Sequence, residues 1–327
     1  MGWFSKLLLP GRLRTGPTAL LPARPDPKTL LAVAQLADPE ARADGDDILA
    51  GGSRIQSPVE LTGDVLAKLG VPDEDRLWAC RIAAEGPLPV DFFDKSLAEG
   101  IAYRLGGWSL CQGEPLDPAE DGGDPLVYLP AVPEPEEILP ILRGLLGPVE
   151  AVDTEQWPEG ELVDGVVHVP VRRGRVADVY AGADLLVTVE EGHRMPPAAQ
   201  TRWPYLTEIA IARVSPDRAY GGGAGGRGAS RRGPRRSGRR PAEDVTSADA
   251  TASAPDTDSH TEGAPEDPLI AAGIVDGDMV REDDKRAELV GRAAIAVTLA
   301  NGLRGIAADS RGFQLVEPAD ALPGGYA

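Results

Sequence analysis

The sequence predicts an α+β protein: a helical N-terminal part, then a mixed β-sheet with helices on one side, closed by a C-terminal helix and hairpin across a disordered insertion. Three observations predict it. Helical periodicity with start and stop signals recurs between residues 57 and 107. A strand–helix–strand pattern follows between residues 126 and 153. Residues 220–268 then lack the apolar mass to fold, yet only 59 residues follow them.

In chain order, the proline-rich residues 15–27 read as an extended tether, and residues 28–37 as a short helix before an Asp/Gly-rich loop. At Ser57-Pro58-Val59-Glu60 a cap, a proline at the first helical position and a closing glutamate predict a helix to Leu69. A second helix is expected over residues 73–84, with Leu77, Cys80 and Ala84 on one face. A third, capped by Asp91, repeats Phe93, Leu97, Ile101 and Leu105 and stops at Gly106-Gly107. Strands are expected at residues 108–112 and 126–131. The latter leads through a Pro/Glu-rich helix, interrupted by Pro140, to a strand at 149–153 as a βαβ unit. Residues 162–171 predict a hairpin about Asp164-Gly165 or a single bent strand, and residues 178–180, 184–189 and 205–214 predict further strands.

The insertion opens with a Gly/Arg half bearing Arg227, Arg231, Arg232, Arg235, Arg236, Arg239 and Arg240, and continues into an acidic Ser/Thr/Pro half. Chain entropy outweighs what so little apolar surface can return. Beyond it, Leu289, Ala293, Ala296 and Ala300 form a helical stripe ended by Asn301-Gly302, and a hairpin turns at residues 309–312. A helix and one hairpin are marginal alone, so this fragment completes a core begun upstream. A loop's closure cost grows only logarithmically with its length, which makes so long an insertion tolerable. The expected organisation is therefore residues 1–56 as an apolar/basic segment and tether, 57–219 with 269–318 as one α+β core, 220–268 as the insertion, and 319–327 as a tail. Helix, glycine and strand recur in LAEGIAYRLGGWSL and AAIAVTLANGLRGIAA, which suggests two related halves.

The formal charge is −19, and the insertion, with seven arginines and eight carboxylates, carries almost none of it. The folded part is acidic, which opposes contact with nucleic-acid phosphates and suits a basic partner. Two cysteines, Cys80 and Cys111, make no metal or redox motif and fit a reducing cytoplasm. No window reaches the length of an apolar membrane span. Trp3, Phe4, Leu7, Leu8 and Leu9, followed by basic residues within 1–14, form a candidate docking segment for a membrane surface or a partner.

No nucleophile elbow, zinc helix, phosphate loop or dinucleotide fingerprint is present, and no cofactor is expected. His168 alternates with Val167 and Val169 and is expected on a solvated face; His193 sits in a loop and His260 in the insertion. The acidic loops at residues 44–47 and 120–124 lack calcium-binding spacing. These features predict a non-catalytic cytoplasmic protein-interaction or regulatory module with an acidic core. The alternatives are a nucleic-acid-associated protein acting through residues 227–240, and an enzyme with a carboxylate- or histidine-based site.

Overall fold

Strand pairing, more than helix packing, organises the chain. The computed structural model describes residues 13, 16–69, 71, 75–84, 92–120, 123–192, 196–213 and 277–327. Among these the chain forms two antiparallel sheets, and the expected helical N-terminal part with a mixed sheet is overturned.

The first sheet contains β1 (Thr18–Leu21), β2 (Arg42–Asp44), β3 (Asp47–Ala50), β4 (Ser53–Ile55), β5 (Val59–Thr62), β6 (Arg76–Ala84), β7 (Trp108–Cys111) and β8 (Glu114–Leu116), in the order β2-β3-β4-β6-β1-β7-β8 with β5 also on β6. Helices α1 (Pro27–Ala37) and α3 (Phe92–Arg104) cover one face, burying Leu30, Val33, Leu97 and Ile101 against Ala19, Leu21, Cys80 and Ile82. The short α2 (Asp64–Leu69) covers the other, over Leu20, Leu77 and Leu110. Both faces of β6 are therefore buried. A continuous apolar run of this kind looks alike in a buried strand and a buried helix, which is why residues 73–84 read as helical. The Ser57–Glu60 capping signature fails for a related reason. Val59 to Thr62 pair with Ala79 to Arg76, and this pairing overrides a local preference.

The second sheet runs β10 (Glu161–Val163), β11 (Val166–Arg173), β12 (Val176–Ala181), β13 (Leu185–Glu191), β14 (Thr207–Arg213), β9 (Pro125–Leu129), β15 (Ile306–Asp309). Helices α4 (Pro135–Leu142) and α6 (Gly277–Leu303) cover one face; the short α5 (Pro197–Gln200) lies over the other, where Ala199 and Leu206 meet Leu126, Tyr128 and Ile306. The expected strand at 149–153 is absent, so no βαβ unit forms there; Val149 and Val152 instead pack on Val167 and Val169 from outside. The crossovers are β6–α3–β7 and β14–α6–β15, each helix passing over the strand between, β1 or β9. Residues 214–276 interrupt the second of these at the place where residues 85–91 connect the first.

Strand, helix, meander, helix, strand: the two units share one order. Their registers match, since Leu20 pairs with Trp108 as Tyr128 pairs with Ile306. Both crossover helices end alike, with Gly106 (φ 65°) and Arg304 (φ 57°) left-handed and the next amide bonding back five residues, Gly107 to Ala102 at 2.8 Å and Gly305 to Ala300 at 2.7 Å. The stronger sequence repeat lies elsewhere: Leu21-Pro22-Ala23-Arg24-Pro25-Asp26-Pro27 and Leu129-Pro130-Ala131-Val132-Pro133-Glu134-Pro135 both run from the central strand into the first helix.

Candidate functional site: the junction of the two units

After β15 the chain turns back along it, with Gln314 bridged to Ala308 and Leu315 N–H donating to Ala307 O at 2.9 Å, and on its other side meets α1 and α3 of the first unit. Gln314 N–H donates to Leu36 at 2.7 Å, Gly324 to Tyr103 at 2.8 Å and Tyr326 to Arg104 at 3.0 Å, so this strap is tied by its backbone. Phe313 is the wedge. It is fully buried in the first unit's core, and its ring lies so close over Gly100 that a Cβ there would meet it at 2.0 Å.

Under the strap, Arg104 and Asp309 form an ion pair at 2.9 Å with both side chains wholly buried. Asp309 Oδ1 also accepts the Arg311 and Phe313 amides at 3.0 Å each. The Arg104 guanidinium lies 4.4 Å from the Phe313 ring centroid; its Nε and Nη2 have no hydrogen-bond partner, and the π face supplies the compensating negative potential. Arg311 lies 4.5 Å over the Tyr103 ring and donates to the Pro118 carbonyl. Tyr103 Oη donates to Ala321 O at 2.7 Å, and burial pushes its pKa up. Burial and the bond to Asp320 likewise push Tyr326 up to about 12.

A cleft of about 530 Å³ opens beside this network, between the loop at 117–120 and α6. Lys285, Arg286 and Arg292 of α6, with Glu288 on the same helix, line one side and Asp117 and Glu120 the other, and Arg292 is held by Asp124 at 2.6 Å. The lining is of mixed charge, and no group of side chains among the described residues could hold a metal ion.

His168 is placed differently from its expected solvated face. Alternation with the valines holds, but its side chain is 13% exposed, stacked on Tyr180 at 4.9 Å and bonded to Asp178 at 2.9 Å. It lines neither this cleft nor the smaller one near α1. His193 and His260 lie outside the described residues. So do Arg227, Arg231, Arg232, Arg235, Arg236, Arg239 and Arg240, and the segment Trp3, Phe4, Leu7, Leu8 and Leu9.

One acidic surface carries no counter-charge of its own. From residue 144 to 171 there is no lysine or arginine, while Glu150, Asp153, Glu155, Glu159, Glu161 and Asp164 are all exposed in the loop that leads into β10 and in the β10–β11 hairpin. The nearest basic contact is Arg143 to Asp164, at 3.4 Å. This run was legible as composition, but that all six side chains are exposed needed the fold. No family model, curated protein or solved structure matches the chain.

Proposed function

We propose that this chain is a non-catalytic protein-interaction or regulatory module of the cytoplasm that engages a basic partner through its acidic folded core. The observation that carries this reading is the row of six exposed carboxylates between Glu150 and Asp164. A one-signed surface steers an oppositely charged partner and weakens its grip as salt rises. Two further facts support the compartment: Cys80 and Cys111 are both free thiols, and no helix among the described residues is long and apolar enough to cross a membrane.

The test is capture from native lysate by the full-length protein, with and without nuclease. The reading expects a protein partner that survives nuclease, is shed by salt, and is lost when the six carboxylates become amides while circular dichroism stays unchanged. Capture that is indifferent to those amides contradicts it. Capture that depends on nucleic acid and on the arginines at 227–240 would move the function to that segment instead.

A further inference from the structure

The end of β14 and the acidic surface lie at one end of the second sheet. A single row of paired residues crosses that sheet: Ala212 with Leu186, Leu186 with Ala181, Ala181 with Val167 and Val167 with Leu162. Just beyond this row, on the same side, stand Arg213, the last residue of β14, and Val163, after which the hairpin turns at Asp164. The loop before β10 passes there too, where Val149 N–H donates to Gly165 O at 2.7 Å. Residues 214–276 therefore leave the sheet at the end where Glu150 and Asp164 lie.

The distance to be crossed is short. Four strand spacings separate β14 from β10, about 19 Å at ~4.8 Å each. Arg227 is fourteen residues beyond Arg213, a length of chain that spans up to about 46–50 Å. The first arginine of 227–240 thus reaches the acidic surface with less than half of the chain available to it.

The charges are complementary. Residues 227–240 hold seven arginines and no acidic side chain. Of the six carboxylates on the surface, only Asp164 is ion-paired among the described residues, with Arg143 at 3.4 Å. The acidic half of the insertion, 242–268, is the other anionic stretch within reach of these arginines. A folded surface already holds its charges in place, so docking there fixes one length of chain, whereas pairing the two halves of the insertion fixes two.

We propose that the arginines of residues 227–240 dock in cis on the acidic surface between Glu150 and Asp164 and compete there with the basic partner. This rests on the interaction-module reading and supplies the regulation of that same site. The tether holds the arginines at an effective concentration on the order of millimolar, so a basic partner binds by displacing them. Coupling of this kind is reciprocal: a ligand that takes up the arginines frees the surface for the partner.

The test adds a fluorescent peptide with the sequence of residues 227–240, in trans, to the full-length protein. Anisotropy is expected to show at least tenfold tighter binding to a full-length variant with Arg→Gln at all seven positions than to the unaltered chain, because the cis segment no longer competes. Converting the six carboxylates to amides in that variant should remove the gain, and added salt should shrink it. Carbodiimide with glycinamide, mapped by mass spectrometry, should modify the six carboxylates faster in the Arg→Gln variant, while the exposed Asp46 of the first unit keeps its rate. Equal peptide binding to the two chains overturns the proposal. A gain that survives the amides overturns it too, and places the arginines on residues 242–268 instead. A lysate partner lost with the six amides but captured equally by the unaltered and Arg→Gln chains would sink the cis contact and leave the module reading standing. A peptide gain that obeys the amides, with no protein captured at all, would do the reverse.

Discussion

The two units solve the same packing problem with different residues, and the differences show which positions the architecture fixes. Gly107 and Gly305 occupy one place in both, where an added Cβ would stand 2.1 Å from Leu20 O and 2.6 Å from Tyr128 O. Here the helix must turn onto the neighbouring strand at backbone contact, so only glycine fits. One residue earlier, the first unit has Gly106 and the second Arg304 in the same left-handed conformation. That position costs a non-glycine residue energy without a clash, and the second unit absorbs the cost. The crossover tolerates more still, with residues 85–91 in one unit and 214–276 in the other.

Several substitutions would break or sharpen this comparison. The largest effect should come from the buried pair that joins the units. Arg104→Ala or Asp309→Ala strands an opposite charge and should cost about 3–5 kcal/mol in denaturant unfolding, whereas a hydrophobic replacement of both should cost much less. A double replacement whose loss equals the sum of the two single losses would show that the pair is not coupled.

Next comes a pair of helix glycines with opposite expectations. Gly100→Ala forces the Phe313 ring off α3 and should destabilise by about 1–3 kcal/mol. Gly291→Ala on α6 meets nothing within 4 Å and should stabilise by about 0.5–1 kcal/mol. Thermal midpoints moving in the same direction would contradict the strap as the asymmetric element.

Smaller again is the cap. Arg304→Gly should gain up to about 1 kcal/mol by relieving the positive φ, and Gly106→Ala should lose a similar amount, both read from denaturant midpoints.

The cysteines give the smallest effect. Burial pushes the Cys80 thiol up to about 12 from an ordinary 9, so the neutral form is favoured in the fold. The associated stability is complete below pH 9 and fades as pH rises toward 12. A thiol reagent should therefore label Cys111 in the native protein and reach Cys80 only after unfolding. Equal native rates would contradict the buried placement.

Much of the helix content was legible: α1, α3 and the second half of α6 carry clean stripes and stops, and the Asp164-Gly165 hairpin has the turn residues its left-handed backbone needs. β5 and β6 were not, because capping chemistry and apolar continuity are local signals, while what decides these strands is a partner distant in sequence. The shared order of the units was written twice, at Leu21–Pro27 and Leu129–Pro135, yet only the fold shows that these stretches do the same job. The junction was hidden for the same reason. Nothing in the sequence links Arg104 to Asp309, and only the strap brings them together.

The most direct measurement of the account is limited proteolysis that nicks the chain within residues 214–276, followed by native size exclusion and then the same separation in denaturant. β14 and α6 share one core on opposite sides of that segment, Ile209 and Ile211 packing with Ala293, Ala296 and Leu299. The account predicts that the two pieces co-elute when native and separate only when unfolded. Two pieces that part under native conditions and remain folded would contradict it.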